Sequence, residues 1–372
     1  MGESGLISNI LKGKKVLCLF PRFYTGGISK ALSFVANTCD NAGMEVHCVA
    51  MTKQPETINL NKGIHRYSYD VTGKTGINRI ISYALFTIKY RLLIRKTKPD
   101  VIIVFGADLV KATVYATWGM RIPIIGSERG NPLLYGRRFD KYRWAFSKAS
   151  AIVFQTEMAR DVYGVNVKTA IIPNPGITRH SANVGKGIKE GKNIISVSRL
   201  GKEKNIDGLI HAFALLKDQL PARKLILYGD GEEQAHLEQL SCELGINNQV
   251  LFAGNVNDFT QQNDDASIFV LNTLSEGMPN ALIEAMVAGY ACICTDCPIG
   301  APRWLSDNGR RVKLVPVKDD IALSNAILEI ATNREMADNL AKNALEIKEL
   351  LSPERISKMW LNLISEVINE HN

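Results

Sequence analysis

Short apolar runs alternate with segments of helical periodicity along almost the whole chain. Between the apolar runs Val16–Phe20 and Val46–Ala50, apolar residues recur at helical spacing before Gly43: Ile28, Leu32, Val35 and Cys39. This alternation predicts βαβ units, and therefore a mostly parallel sheet covered by helices. The strands predicted in the first half are Val16–Phe20, Val46–Ala50, Val101–Phe105, Pro123–Gly126, Ile152–Phe154 and Ala170–Ile172.

The pattern breaks once, at residues 173–192, which are rich in proline, glycine and polar side chains and have no periodicity. Such a stretch is typical of an interdomain linker. With 372 residues, the chain also exceeds the ~250–300 at which single cores stop growing. We therefore predict an α/β protein of two doubly wound domains, residues 1–175 and 193–352, joined by a linker at 176–192. Strands predicted in the second domain are Ile194–Val197, Leu225–Tyr228, Val250–Phe252, Ile268–Leu271, Ala291–Cys294 and Val312–Val315.

Charge is divided unequally between the two halves. Residues 1–185 contain 26 Lys and Arg against 11 Asp and Glu, whereas residues 186–372 contain 19 against 26. The basic first half is therefore expected to meet an anionic partner.

No apolar run approaches the ~20 residues of a membrane span, and residues 1–13 lack the apolar core of a secretory signal. Seven cysteines, mostly in apolar runs, favour reduced thiols in a cytoplasmic protein. We expect Cys292, Cys294 and Cys297 to pack in the core rather than bind zinc.

Two loops that follow predicted strands carry charged side chains suited to a nucleotide. Arg199 and Lys204 follow Ile194–Val197, where a guanidinium and an ammonium group could clamp a diphosphate. A solvated charged turn is the alternative. Glu276 follows Ile268–Leu271, and Glu284 lies on the next predicted helix, where a carboxylate can accept two hydrogen bonds from a ribose diol. Pro279 suits the first turn of that helix.

Two glycine pairs are further candidates. Gly229 and Gly231 follow a strand and would allow a tight turn and the close approach of a ligand. Gly26 and Gly27 begin the first predicted helix, where backbone amides can meet a phosphate or a sugar. Glycine pairs that merely end a loop are the alternative in both places.

Taken together and in order, these motifs resemble glycosyltransferase family four, the retaining nucleotide-sugar enzymes of GT-B fold, and among them bacterial enzymes that build surface polysaccharides. The matching segments are GGISKA, SERGNP (127–132), FQTEMAR (154–160), IIPNP (171–175), SRLGKEKN (198–205), YGDGEE, FAGNV (252–256) and SEGMPNALIEAMVAG. The resemblance implies two Rossmann-like domains facing a central cleft. It also implies that the amphipathic segment Pro353–Ile368, within residues 353–372, is a helix that returns to the first domain.

The resemblance also implies roles for individual residues. Arg199, Lys204 and Glu276 would be catalytic, with the two cations on the donor diphosphate and Glu276 on the donor sugar, while Glu284 would hold the ribose. The other donor-binding positions would be Gly27, Gly229, Asn255, Val256, Gly277, Met278, Pro279, Asn280 and Ala281. The acceptor side would include Gly26, Gly27, Glu128 and Arg129, although many members carry a histidine near Glu128. We expect neither a metal nor a cofactor, since the nucleotide sugar is the co-substrate.

The resulting hypothesis is transfer of a hexose or N-acetylhexosamine from a nucleotide sugar, UDP-linked, to a polyprenyl-diphosphate-linked or other saccharide acceptor. A nucleotide-sugar epimerase of the same fold and a non-catalytic partner subunit are the alternatives. Two basic segments, Arg79–Lys98 and residues 137–148, suggest peripheral binding at the inner face of the cell membrane. Core-packing helices with solvated basic faces would explain the same charges, and no motif for reading nucleic acid accompanies them.

Overall fold

The computed structural model describes residues 9–23, 26–53, 56–71, 77–176, 191–262 and 265–371. The chain divides into two compact units: Met1–Asn174 with Glu354–Asn372 form unit 1, and Pro175–Pro353 form unit 2. Most of the predicted linker, residues 177–190, lies outside the described residues.

Unit 1 is built on a seven-stranded parallel sheet of order β3-β2-β1-β4-β5-β6-β7. All six strands predicted from the sequence are present. The strand that the sequence analysis missed is β3, because it is short and polar and lies largely exposed at the sheet edge. The strands are β1 Lys15–Arg22, β2 Glu45–Thr52, β3 His65–Ser68, β4 Val101–Phe105, β5 Ile124–Ser127, β6 Ala151–Phe154 and β7 Lys168–Ile171.

The helices of unit 1 include the last helix of the chain. That helix buries Ile356, Trp360 and Ile364, on the apolar face predicted from their spacing. Its assignment to unit 1 confirms the predicted return of the C-terminal segment. The helices are α1 Gly27–Asn41, α2 Ile77–Thr97, α3 Ala107–Ala116, α4 Phe139–Phe146, α5 Glu157–Tyr163 and, at the end of the chain, α13 Pro353–Asn369.

Unit 2 has a six-stranded parallel sheet of order β10-β9-β8-β11-β12-β13. Leucine and isoleucine side chains from its strands and helices form a continuous buried core. The strands are β8 Asn193–Val197, β9 Leu225–Tyr228, β10 Val250–Gly254, β11 Ala266–Leu271, β12 Ala291–Thr295 and β13 Val312–Val315. The helices are α6 Ile206–Ala214, α7 Gln234–Glu243, α8 Asn280–Ala288, α9 Ala301–Ser306, α10 Asp320–Thr332, α11 Arg334–Ala344 and α12 Ile347–Leu350.

Each sheet has one point at which the strand order reverses. In unit 1 it lies between β1 and β4, and in unit 2 between β8 and β11. In open parallel sheets, ligands bind outside the carboxyl ends of the strands at this switch point. The doubly wound prediction is therefore confirmed, and the loops after these four strands are where a site is expected.

The cysteine thiols are free, and six of the seven are buried, with Cys242 exposed. Burial raises the pKa of the Cys292 thiol, and burial raises that of Cys297 to about 12. These thiols are therefore protonated, as the core-packing prediction requires.

Within the described ranges, no helix combines the length and the apolar character needed to cross a bilayer.

Candidate functional site

The loop that follows β8 carries the first predicted cation. Arg199 forms an ion pair with Glu203, four residues along, and the Arg199 side chain remains 61% exposed. The hydrogen bond to Glu203 raises the pKa of Arg199. Arg199 is thus a charged, accessible group on the unit 2 switch point, held by a partner at the protein surface.

The second predicted cation joins the loop after β8 to the loop after β11. Lys204 Nζ lies 2.5 Å from Glu276 Oε1, and both side chains are less than one-fifth exposed. Backbone bonding supports the junction, since the Leu274 amide donates to the Glu203 carbonyl over 2.9 Å. The structure therefore brings Arg199, Lys204 and Glu276 together at the switch-point edge of unit 2.

Helix α8 begins one residue later than the sequence suggested. Pro279 is its N-cap with extended backbone, and Asn280 is the first helical residue, so Pro279 precedes the first turn. First-turn amides of a helix have no intrahelical acceptor, which suits an anion. Glu284 follows one turn later and is half-buried, while Met278 is buried and can offer a ligand little beyond its backbone.

The Gly229–Gly231 pair forms a tight turn against the loop after β8. Gly229 has φ +130°, and a Cβ there would lie 1.9 Å from the Ser198 carbonyl oxygen. A Cβ on Gly231 would lie 2.2 Å from the carbonyl oxygen of Leu200. The group that approaches these glycines on the Cβ side is the backbone of the loop after β8, so that packing alone requires glycine at both positions.

The predicted base-side residues lie farther along the same edge. Asn255 follows β10, the outermost strand, and its side chain is exposed and hydrogen-bonded to Asp230. Val256 is half-buried beside it. These two residues therefore lie away from the Lys204–Glu276 pair, at the far end of the sheet edge.

In unit 1, Gly26 is the N-cap of α1 and has φ −178°, an extended conformation that any residue adopts. A Cβ on Gly26 would meet no atom within 4 Å. Gly26 and Gly27 are both exposed after β1. The fold itself therefore does not require glycine at position 26.

Glu128, which was predicted for the acceptor side, follows β5 and is buried. Its Oε1 accepts from the backbone amides of Arg129 and Gly130 and from Tyr135 Oη, each over 2.8 Å. Its Oε2 accepts from Tyr163 Oη. Both oxygens accept hydrogen bonds and the residue is only 2% exposed, so the carboxylate of Glu128 holds this loop in place.

Arg129 lies at the centre of segments that the sequence analysis could not connect. Its guanidinium lies 4.0 Å from the ring centroid of Phe105 and 5.9 Å from that of Trp360 on α13. Its Nη1 donates to Asn174 Oδ1 over 2.7 Å, and Gln155 donates to the same oxygen over 2.9 Å. The SERGNP, FQTEMAR and IIPNP segments thus converge on one guanidinium.

Helix α2 presents a row of exposed apolar side chains, here called the apolar stripe: Ile81, Leu85, Ile88 and Leu92. Each is at least 50% exposed. Their spacing of three or four residues places them on one face, and exposed basic side chains border it at Lys89, Arg95 and Lys96. The opposite face is buried through Phe86, Tyr90, Leu93 and Ile94, so these four residues belong to the core.

The second basic segment, around α4, is partly structural. Tyr142 and Phe146 are buried, and Arg143 donates to the Tyr163 carbonyl over 2.8 Å. The basic side chains of the segment are nevertheless all exposed, at Arg137, Arg138, Lys141, Arg143 and Lys148. Its charge is therefore available at the surface.

Among the described residues, Glu45, His47 and His65 form the group whose ligand atoms, all within 4.8 Å of one another, could hold a metal ion. Glu45 already pairs with His47 over 2.9 Å and with Lys15 over 3.0 Å. The group lies where β2 and β3 begin, so it is remote from the strand ends that carry the candidate residues.

Comparison with known proteins gives a match in the second half of the chain. Residues 181–347 match the model of the family described as Glycosyl transferases group 1. The chain is a glycosyltransferase.

Relatives of this glycosyltransferase are named as enzymes of polysaccharide and lipopolysaccharide biosynthesis. A Campylobacter jejuni α-1,4-N-acetyl-D-galactosaminyltransferase, named for a GalNAc-GalNAc-diNAcBac-PP-undecaprenol substrate, is 23% identical over 91% of this chain and 99% of its own length. The Rhizobium meliloti lipopolysaccharide core biosynthesis glycosyltransferase LpsD is 24% identical over 91% of this chain and 94% of its own.

Solved structures confirm the fold of the glycosyltransferase. Anabaena HepE, crystallised with UDP and glucose, superposes with a TM-score of 0.77 at 18% identity, covering 95% of this chain and 99% of HepE. The two parallel sheets described above are thus those of a GT-B glycosyltransferase.

Proposed function

We propose that this glycosyltransferase transfers a hexose or N-acetylhexosamine from a UDP-sugar, with retention of configuration, to a polyprenyl-diphosphate-linked or other saccharide acceptor. The reaction would take place in surface polysaccharide synthesis at the inner face of the cell membrane. The observation that carries the proposal is the grouping of Arg199, Lys204 and Glu276 at the switch point between β8 and β11. That position and that charge suit the diphosphate of a nucleotide sugar.

Arg199 and Lys204 can interact with the diphosphate in different ways. Arg199 is exposed and can exchange Glu203 for phosphate oxygens, which a guanidinium binds in bidentate geometry. Lys204 is mostly buried beside Glu276 and supplies a fixed positive charge. Charge develops on the leaving phosphate as the glycosidic bond breaks, and preorganised cations at that point lower the barrier.

Glu284 supports a ribonucleotide donor. It is half-buried one turn inside α8, among buried apolar neighbours, where a carboxylate can accept both hydroxyls of a ribose. The choice of uridine is supported by HepE, which was crystallised with UDP and glucose. The choice of an N-acetylhexosamine and a polyprenyl diphosphate is supported by the name of the Campylobacter jejuni relative.

Retention follows from a reaction on one face of the sugar. The bond from C1 to the phosphate oxygen breaks while the acceptor oxygen forms its bond to C1 on the same face. The acceptor proton passes to the departing phosphate oxygen, so the step needs no protein nucleophile. Arg199 and Lys204 would stabilise the resulting UDP.

The apolar stripe of α2 supports binding to an anionic membrane. Four exposed aliphatic side chains bordered by Lys89, Arg95 and Lys96 form an amphipathic face of the kind that lies in the interface of a charged bilayer. Each basic side chain near an anionic surface adds about 1 kcal/mol.

The transfer reaction is tested with a panel of UDP-, GDP- and ADP-linked sugars and an undecaprenyl-diphosphate-linked acceptor. We expect one UDP-sugar to be consumed and the product's anomeric proton, read by NMR, to keep the donor's configuration. Inversion would contradict the mechanism. The absence of both transfer and slow donor hydrolysis for every UDP-sugar would contradict the donor assignment.

Membrane binding by the protein is tested by flotation with vesicles of phosphatidylglycerol or of phosphatidylcholine. We expect binding to the anionic vesicles that falls as salt screens the charges and that is lost in Leu85→Gln/Ile88→Gln/Leu92→Gln. The matched control replaces three equally exposed apolar residues of unit 2, as Leu215→Gln/Leu251→Gln/Ile321→Gln. Equal binding by the two triple variants would contradict the assignment of the stripe.

A further inference from the structure

Arg129 is a cation whose neighbouring carboxylate is committed elsewhere. We infer that Arg129 binds a phosphate or diphosphate group of one of the two substrates, as an anion-binding residue distinct from Arg199 and Lys204. The inference rests on the proposed function, because it assumes phosphorylated substrates.

The first argument is that, among the described residues, no carboxylate oxygen bonds directly to the guanidinium, although the nearby charge of Glu128 acts on it. Glu128 is adjacent in sequence, yet its oxygens accept from two backbone amides and from the hydroxyls of Tyr135 and Tyr163. Asn174, which accepts from the Arg129 guanidinium, is uncharged. In the part of the chain that the structure describes, Arg129 forms no ion pair, whereas Arg199 and Lys204 each have a carboxylate partner.

The second argument is how firmly the guanidinium is held. It lies over the Phe105 ring at 4.0 Å, and its Nη1 is fixed on Asn174, which Gln155 also holds. Its Nε is buried and has no hydrogen-bond partner among the described atoms. Burial lowers the pKa of Arg129 to about 9, so the group is still charged at neutral pH.

Energetics favour a ligand over a structural explanation. Placing an unpaired charge in a poorly solvated site costs stability, and stacking on an aromatic ring offsets only part of that cost. A group held at such a cost, rigid and unsatisfied, has the character of a preorganised site. A phosphate supplies the missing negative charge, and its oxygens match the fork of a guanidinium.

The location of Arg129 agrees with this assignment. It follows β5, at the carboxyl end of the sheet, where the Gly106 amide after β4 donates to the Ser127 carbonyl over 2.8 Å. Gly26 and Gly27 follow β1 on the same edge. Arg129 therefore lies at the carboxyl edge of the unit 1 sheet, one strand away from the switch point between β1 and β4.

The experiment uses the full chain carrying Arg199→Ala/Lys204→Met, which removes the unit 2 cations, and titrates pyrophosphate by calorimetry. We expect measurable binding that weakens at least tenfold on adding Arg129→Gln or Arg129→Met. No pyrophosphate binding in the starting variant, or equal binding after Arg129 is replaced, would overturn the inference.

Thermal unfolding separates binding from structural support. In the otherwise unaltered chain, Arg129→Gln is expected to unfold at the same or a higher temperature, because it removes an unpaired charge. The matched control is Arg223→Gln, which removes another desolvated arginine, one that donates to the carbonyls of Lys192 and Ala331. The control should unfold at a lower temperature with pyrophosphate binding unchanged. A lower unfolding temperature for Arg129→Gln with unchanged pyrophosphate affinity would show a structural role and overturn the inference.

Two further measurements identify whether Arg129 binds the phosphate of the donor or that of the acceptor. If it is the donor, Arg129→Gln weakens UDP binding. If it is the acceptor, Arg129→Gln raises KM for the diphosphate-linked acceptor and leaves KM unchanged for the same glycan without phosphate. Should the UDP-sugar panel fail while pyrophosphate binding still depends on Arg129, the anion site stands and the proposed donor is wrong.

Discussion

The two units of this glycosyltransferase share one topology, yet they hold their cations in opposite ways. In unit 2, Arg199 and Lys204 are paired with Glu203 and Glu276. In unit 1, Arg129 is held by an amide and an aromatic ring, and Glu128 is bonded elsewhere. Paired cations are stable without a ligand and must exchange partners to bind one. An unpaired cation weakens the empty protein and gains most when an anion arrives.

The largest effect is expected where a paired cation is removed. Lys204→Met should lower kcat/KM for transfer by about 10²–10³-fold, as does the loss of one preorganised group that stabilises developing charge. The control is Lys202→Met on the same turn, whose side chain is 84% exposed. A loss below tenfold in Lys204→Met, or an equal loss in the control, would contradict the role of Lys204.

The next effect concerns the carboxylate that supports the unpaired cation. Glu128→Gln should destabilise unit 1 by roughly 3 kcal/mol, because a carboxamide cannot accept from all four donors and hydrogen bonds to charged groups contribute about 1.5–3 kcal/mol each. Thermal unfolding measures this loss. If Glu128 were an acceptor contact rather than a support, the unfolding temperature would stay unchanged while acceptor KM rose.

A smaller loss of activity is expected when Arg199 is replaced, and replacing its partner Glu203 should have a different result. Arg199→Ala should lower kcat/KM by roughly 10–100-fold, since bonds from a charged donor to phosphate contribute about 1.5–3 kcal/mol. Glu203→Gln frees the guanidinium and should leave UDP affinity equal or slightly higher. Because exposed ion pairs contribute about 0–1 kcal/mol, neither variant should change stability much. Equal losses of activity in both variants would indicate that the pair itself matters.

The smallest of the four effects is expected at Glu284. Glu284→Ala should weaken UDP binding about tenfold, the equivalent of one hydrogen bond to a charged acceptor. The test compares UDP with 2′,3′-dideoxy-UDP by calorimetry, with Glu238→Ala on α7 as the control. The preference for UDP over the dideoxy analogue should disappear in Glu284→Ala and not in the control. If the preference were preserved in Glu284→Ala, the proposal that Glu284 binds the ribose would be contradicted.

Much of the fold could be predicted from hydrophobic periodicity because both sheets are covered by helices and their strands are almost continuously apolar. Strand β3 was missed for the same reason, since its exposed residues His65–Ser68 carry no apolar run. The unit 2 cations could also be predicted, because Lys204 and Glu276 follow adjacent strands of one sheet and must meet at its edge.

The network around Arg129 could not be predicted. Phe105, Tyr163, Asn174 and Trp360 lie far apart in the sequence, and nothing in their local pattern shows that they surround one guanidinium. The spacing of Gly229 and Gly231 predicted the turn correctly. It could not show that the backbone of another loop packs against both glycines. Such contacts depend on tertiary packing rather than on sequence spacing.

Helix α13 has a consequence for how the protein is made. Trp360 stacks on Phe105 beside Arg129, but the ribosome synthesises residues 175–353 before it reaches Trp360. Unit 1 therefore waits until Trp360 has been synthesised, whereas the residues of unit 2 are contiguous and can fold first. A nascent chain halted shortly before α13 would carry a complete unit 2 and a unit 1 in which Phe105 still lacks its aromatic partner.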